Sequence, residues 1–215
     1  FLPGFWGGAK TQYIIKASEL IQAGLSPGAI TSLGFEPTDS GQTYQGFNVR
    51  MGHTTADVAG ANFIANSGLS FVYAGSQADQ GFTPVANTVN NLTFGTGTGT
   101  ASSFVWDGAS NIVVSISWSR VPAANTATPT TMKVDNVGFV STNYTLDDNA
   151  TPAEMADVMT TFGTSSNRPR FIFNGQIACS SPRVPVTVTV TPAPAIALSS
   201  ASATICNGAS TAAVT

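Results

Sequence analysis

Charge is what this chain has least of: 9% of its 215 residues are Asp, Glu, Lys or Arg, against roughly 25% in an ordinary soluble protein. Eight basic residues facing eleven acidic ones make no basic stripe that would neutralise phosphates. Nucleic acid is therefore excluded as the expected partner, and so is electrostatic capture by an anionic membrane. Long apolar runs are also missing. The longest, such as "NIVVSISW", are broken by serine and fall far short of the about 20 residues a spanning helix needs, so no membrane span is expected. The opening "FLPGFWGGAK" lacks the basic and then apolar segments of an export signal. It starts as though within a domain, and "STAAVT" stops abruptly, so the sequence reads as a segment of a longer chain. One histidine, His53, and two cysteines, Cys179 and Cys206, supply no Cys/His cluster with metal-ligand spacing. In an exported protein Cys179 and Cys206 are candidates for a disulfide between neighbouring strands or domains, and each is equally able to pair outside the segment.

Thr, Ser, Ala, Gly and Asn fill the surface in place of charge, the texture of an extracellular β-protein. Runs rich in β-branched and aromatic residues recur between Gly, Pro, Asn, Asp and Ser: "TQYIIKA", "AITSLGFE", "YQGFNVRM", "LSFVYAG", "NTVNNLTF", "NIVVSISWS", "VGFVSTNYT", "RFIFNG" and "VPVTVTVT". Their number and spacing predict an all-β fold, an antiparallel β-sandwich of jelly-roll or immunoglobulin-like type. Phe47, Val49 and Met51 alternate with Asn48, Arg50 and Gly52, which predicts one packed face and one wet face. Two short helices are expected at the sandwich ends. "KASELIQAG" has Ser18 as cap, Leu20 and Ile21 on the presented face and Gly24 as a left-handed stop. "TPAEMADVMTTFG" has Thr151, Pro152 and Glu154 as a capping box and Gly163 at its end. Gly95, Gly97 and Gly99 alternate with Thr, but no GK[ST] and no helix follow, so a hairpin connection is expected rather than a phosphate cradle. Beyond "VPVTVTVT", Pro192 and Pro194 stiffen the chain as at a domain junction. A sandwich module over 1–191 is thus expected, with 192–215 holding a linker and the opening strands of an incomplete second immunoglobulin-like domain, or a strand exchanged with a neighbour.

The blocks "KTQYIIKASELIQAGLSPGAITSLGFE", "GFNVRMGHTTAD", "FVWDGASNIVVSISW" and "SSNRPRFIF", in that order, resemble a β-sandwich module of very large cell-surface and secreted proteins of Bacteroidota exported by type IX secretion. "CSSPRVPVTVTVTPAPAIALSSASATICNGAS" is similar to the joints that lead into immunoglobulin-like repeats in the same proteins. The resemblance implies an extracellular, cell-surface location in a multi-domain, adhesin-like or filamentous protein. Its partners would be neighbouring domains or identical subunits, and it implies no catalytic residue.

Candidate chemistry is thin. His53 would need an oriented nucleophile and a carboxylate, and no G-x-S-x-G elbow marks a serine; a strand-end histidine after a turn at Gly52 is the expectation. The acidic residues, among them Asp39, Asp57, Asp79, Asp107, Asp135 and Asp157, are scattered, and nothing nominates the opposed pair a glycosidase requires. Asp147 and Asp148, followed by Asn149, gather hard oxygens of the kind that hold Ca²⁺ without the D-x-[DN]-x-[DN]-G order, so helix-entry solvation is the plainer account and no cofactor is expected. Among aromatics suited to stacking on a sugar or a partner, Trp6 and Trp106 are the candidates and Trp118 reads as core. The expected function is a non-enzymatic structural or adhesive module of a surface protein, possessing filament-forming potential. The alternative is a carbohydrate-binding accessory module of a secreted hydrolase, with surface glycans as ligands.

Overall fold

The computed structural model describes residues 5–75, 81–121 and 130–177. In chain order these form β1 (Gly8–Ile15), α1 (Ala17–Gln22), β2 (Leu25–Phe35), β3 (Asn48–Thr54), β4 (Ser70–Ala74), β5 (Asn90–Thr93), β6 (Phe104–Trp106), β7 (Asn111–Ser119), β8 (Val134–Asn136), β9 (Thr142–Asp147), α2 (Pro152–Asp157), β10 (Gly163–Ser165), β11 (Asn167–Pro169) and β12 (Ile172–Ile177). One sheet has the order β10-β9-β1-β7-β3-β4, and the other has β12-β2-β5 with β6 on a second stretch of β2. A two-stranded ribbon, β11-β8, stands apart from both. Pairing between these strands is antiparallel throughout, and the fold is the all-β sandwich expected.

Period-two burial builds the core. Ile112, Val114, Ile116 and Trp118 of β7 point inward beside Tyr13, Val49, Met51 and Val72, and meet Leu33, Phe35, Leu92, Phe104 and Trp106 from the opposite sheet. Trp118 packs edge-on against Tyr44, with ring centroids 4.7 Å apart, an arrangement that suits the quadrupoles of two aromatic rings. The outer face of the six-stranded sheet departs from expectation. Lys10, Gln12, Ser115, Ser117 and Asn143 lie on it, yet all are buried, because the chain around residues 60–66 and the end of α2 fold over them. Gln12 exchanges two 2.8 Å hydrogen bonds with the Ile64 backbone, and Asn143 donates to the Gly60 and Asn62 carbonyls. Polar side chains are tolerated there because the covering loop needs backbone partners once it leaves water.

Several local expectations change. Gly52 makes no turn: it lies within β3, opposite Val113, and a Cβ there would sit 2.5 Å from Leu69 Cδ2 and 2.8 Å from the Gly68 carbonyl oxygen. Close approach of a covering loop, rather than a bend, is what requires glycine. Ser18 lies inside α1 and Lys16 holds the N-cap position; the Glu19 carboxylate accepts the Lys16 N–H at 2.8 Å. Leu20 is buried and Ile21 exposed, while Gly24 adopts the left-handed conformation, φ +88°. In α2, Thr151, Pro152 and Glu154 form the capping box as expected, but the helix ends at Asp157. Val158 has extended backbone, and Gly163 falls in β10 instead.

The "TFGTGTGT" loop has a definite task. Its backbone covers the edge of β4, with Gly95 N–H donating to Val72 O, Ala74 N–H to Thr96 O and Ala101 N–H to Phe71 O at 2.8–3.0 Å. An open strand edge would otherwise invite pairing with another chain.

β1 and β12 also fix the direction of travel. β1 runs from Gly8 to Ile15, α1 carries the chain across to Leu25, and β2 returns to Phe35. β12 then pairs Ile172 with Gly34 and Ile177 with Leu25. The first strand therefore starts at one end of the sandwich and the last described strand finishes at the other. All described residues belong to one unit, Phe1–Cys179. "VPVTVTVT", Cys179, Cys206, the boundary at 191/192 and the proposed second-domain strands lie outside the described residues.

Candidate functional site

The second sheet does not reach across the whole inner face of the six-stranded one. Where it stops, the inner side chains of β1 and β9 form cross-strand rungs, Thr11 opposite Tyr144 and Tyr13 opposite Thr142. These rungs, with Leu146, floor an open groove of about 470 Å³. Its walls are Thr130–Met132, Val134, Ser165 and Asn167–Pro169, the β8–β11 ribbon and its approaches. That volume is within the about 300–1,000 Å³ typical of ligand sites.

Specific bonds hold the ribbon over this floor. Arg168 donates to the Ile14 carbonyl at 2.8 Å and grips Glu19 of α1 with both guanidinium nitrogens, at 2.6 and 3.1 Å. Arg170 pairs in the same forked way with Asp135, holding that carboxyl below its usual range, chiefly through the hydrogen bond. Lys133 meets Glu36 at 2.6 Å, and Asp39 accepts both the Thr131 N–H and its hydroxyl. The groove itself carries one formal charge, Arg168, neutralised by Glu19. Among the described residues that line it there is no carboxylate, histidine or cysteine, and its titratable groups are Arg168 and the phenols of Tyr13 and Tyr144.

The residues singled out from sequence fall elsewhere. His53 is half-exposed on β3, its ring 4.9 Å from that of Phe104. Its Nε2 accepts the Asp107 N–H at 3.3 Å and lies 3.9 Å from Asp107 Oδ1. The Asp107 carboxylate is already engaged by the Ser110 hydroxyl at 2.6 Å and by the Ala109 and Ser110 N–H groups. These bonds, the Ser110 hydroxyl foremost, keep it well below the usual carboxylate range. Serine, aspartate and histidine thus meet here, but in the wrong order: a triad needs the histidine between hydroxyl and carboxylate, and here the aspartate is in the middle, closing a turn.

Trp106 is corrected as a ligand-facing aromatic. It is 1% exposed, packed in the core, and its indole N–H donates to the Ser110 carbonyl at 2.8 Å, so neither ring face is offered to a sugar. Trp6 is half-buried, and Trp118 is core as expected. The two adjacent aspartates do not converge. Asp147 Oδ1 accepts the Asn149 and Ala150 N–H groups, whereas Asp148 Oδ1 accepts the Gly7 N–H. Among the described residues no three His, Cys, Asp or Glu side chains gather as a metal site.

Sequence patterns gave no warning of Lys10, a lysine fully buried on the outer face of the six-stranded sheet. Its Nζ donates to the Ala156 and Val158 carbonyls at 2.8 and 2.7 Å and lies 4.9 Å from the Phe63 ring centroid. It terminates α2 from a strand nearly 150 residues away. Burial brings its pKa from 10.5 down to about 8; Asp157 opposes that shift and Arg50 adds to it. Between about pH 8 and 10 the unfolded chain therefore holds a proton that the folded chain has released, and stability rises with pH across that window. Above it the trend reverses, because buried Tyr13, Tyr44 and Tyr73 resist ionisation in the folded state. Urea unfolding midpoints should climb from pH 7.5 to 9.5 in the wild type and stay flat in Lys10→Met. Equal slopes in the two proteins would sink this assignment.

No protein-family model, curated protein or solved structure matches the chain.

Proposed function

We propose that the chain is a non-enzymatic structural and adhesive module of a large extracellular bacterial surface protein, of the type IX-exported kind that its sequence blocks resemble. The observation that carries this reading is the end-to-end path of the chain: Gly8 enters at one end of the sandwich and Ile177 leaves at the other. Modules joined in series through such ends extend along one direction instead of doubling back. Tension between the ends runs parallel to β1, which is bonded on both sides by β7 and β9, and to β12. The hydrogen bonds are then loaded together in shear and not opened one at a time. The low charge and the covered β4 edge fit the same task, since closely spaced copies neither bury many unpaired charges nor pair by that edge.

Single-molecule pulling tests the reading directly. With handles at residues 7 and 177 the sandwich should yield at a markedly higher force than with handles at 7 and 36, which lie at one end and peel the sheets apart. Equal forces for the two geometries would remove the support for a tension-bearing spacer.

A further inference from the structure

The groove between β9 and the ribbon belongs to no spacer function, and its chemistry selects a ligand class. We propose that it binds a neutral pyranose unit of a glycan, with the Tyr144 ring as stacking platform and the Asn167 carboxamide as partner for the sugar hydroxyls. The inference stands apart from the spacer reading and survives its failure.

Charge narrows the choice first. Arg168 is the groove's sole formal charge among the described residues, and its guanidinium is taken up by Glu19 and the Ile14 carbonyl. Its charge is compensated within the wall, so an anionic ligand gains little and a cationic one meets no free carboxylate. Hydrogen-bond capacity narrows it further. Thr142 donates to the Asn167 carbonyl and Thr131 to Asp39, whereas the Thr130 and Ser165 hydroxyls accept, from Tyr44 and the Asn167 N–H, and each keeps its own O–H to donate. The Asn167 carboxamide and the Tyr144 hydroxyl have no hydrogen bond among the described residues. An amide, which both donates and accepts, and a phenol on two residues of the same lining suit the hydroxyls of a sugar.

Apart from Thr11 and Tyr13 on the floor, the remaining surface is apolar: Met132, Val134, Leu146 and Pro169 line the groove with Tyr144. A pyranose presents C–H groups on its faces and hydroxyls around its rim, and flat rings bind those faces. Tyr144 is held for this purpose. Its phenol lies across Gly163, where a Cβ would come within 2.6 Å of the hydroxyl oxygen, and Phe162 flanks the ring with centroids 6.2 Å apart. A purely apolar ligand would leave the amide and phenol unused and desolvated, at a cost in affinity.

The test uses the 215-residue chain with soluble neutral di- and trisaccharides of glucose, galactose, mannose and N-acetylglucosamine, followed by calorimetry and ¹H–¹⁵N shift mapping. Binding of at least one series is expected, with shifts centred on residues 130–134, 142–146 and 165–169. Tyr144→Ala and Asn167→Ala should each weaken it about tenfold, or about 1.4 kcal/mol. Tyr144→Phe should retain most of it by keeping the ring, and Trp6→Ala should leave it unchanged. Amide spectra of each variant establish that it is folded. The proposal is overturned by no binding at 10 mM sugar, by binding that both alanine variants retain, by loss on Trp6→Ala, or by preference for charged glycans or apolar peptides.

Discussion

Trp106→Ala is expected to destabilise the protein by about 3–5 kcal/mol, the range for emptying a large buried aromatic site. The ring is 1% exposed and β6 is only three residues long, so the strand has little besides Phe104 and Trp106 to hold it against β2. Removing the indole also deprives the Ser110 carbonyl of its donor, in the turn that Asp107 closes. Urea denaturation followed by near-ultraviolet dichroism measures the loss, and a cost below about 1 kcal/mol would show that the ring is not the anchor its burial indicates. Trp6→Ala, at a half-buried site before β1, should cost far less. The contrast bears on function, because loss of any ligand in Trp106→Ala would report a damaged core and not a missing platform.

That correction was within reach of the sequence. In "SSFVWDG", Phe104 and Trp106 fall on one side of Val105 by strand alternation, and Val105 is the exposed member. Period two thus points Trp106 inward, and the Asp-Gly turn that follows does not alter the direction of its ring. Strand identity was legible in the same way: "NIVVSISWS" coincides with β7, and the box around Thr151 placed the start of α2. The buried polar face was not legible. Lys10 and Gln12 occupy positions that, by alternation, belong to solvent, and only the distant residues 60–66 and 156–158 take them out of water. The groove was equally hidden. Its lining comes from β1, residues 130–134, β9 and residues 165–169, segments with no common motif, and Tyr144 stands in an ordinary N-x-T context. What makes a site of them is the point at which the second sheet ends, a property of pairing that no local pattern encodes.

Arg168→Ala carries the other large expected effect. The guanidinium bonds both oxygens of Glu19 and the Ile14 carbonyl, with its side chain 12% and that of Glu19 29% exposed. Three elements, α1, β1 and β11, are joined through this one planar group. Losing one partner of a pair buried in this way costs about 3–5 kcal/mol when burial is complete, and partial exposure of Glu19 reduces that to roughly 2–3 kcal/mol. Glu19 keeps one bond, to the Lys16 N–H, so the helix end survives while the ribbon loses its tether. Arg168→Lys should recover little, since an ammonium cannot span two carboxylate oxygens and a carbonyl in one plane. In the double variant Glu19→Gln with Arg168→Met no charge is left unpaired, and its cost should fall below the sum of the single changes. Additivity within 0.5 kcal/mol would mean that the two side chains act independently. The same cycle separates the wall from the ligand: if Asn167 and Tyr144 bind the sugar, Arg168 substitutions weaken binding only as far as they free the ribbon, and the double variant restores affinity along with stability.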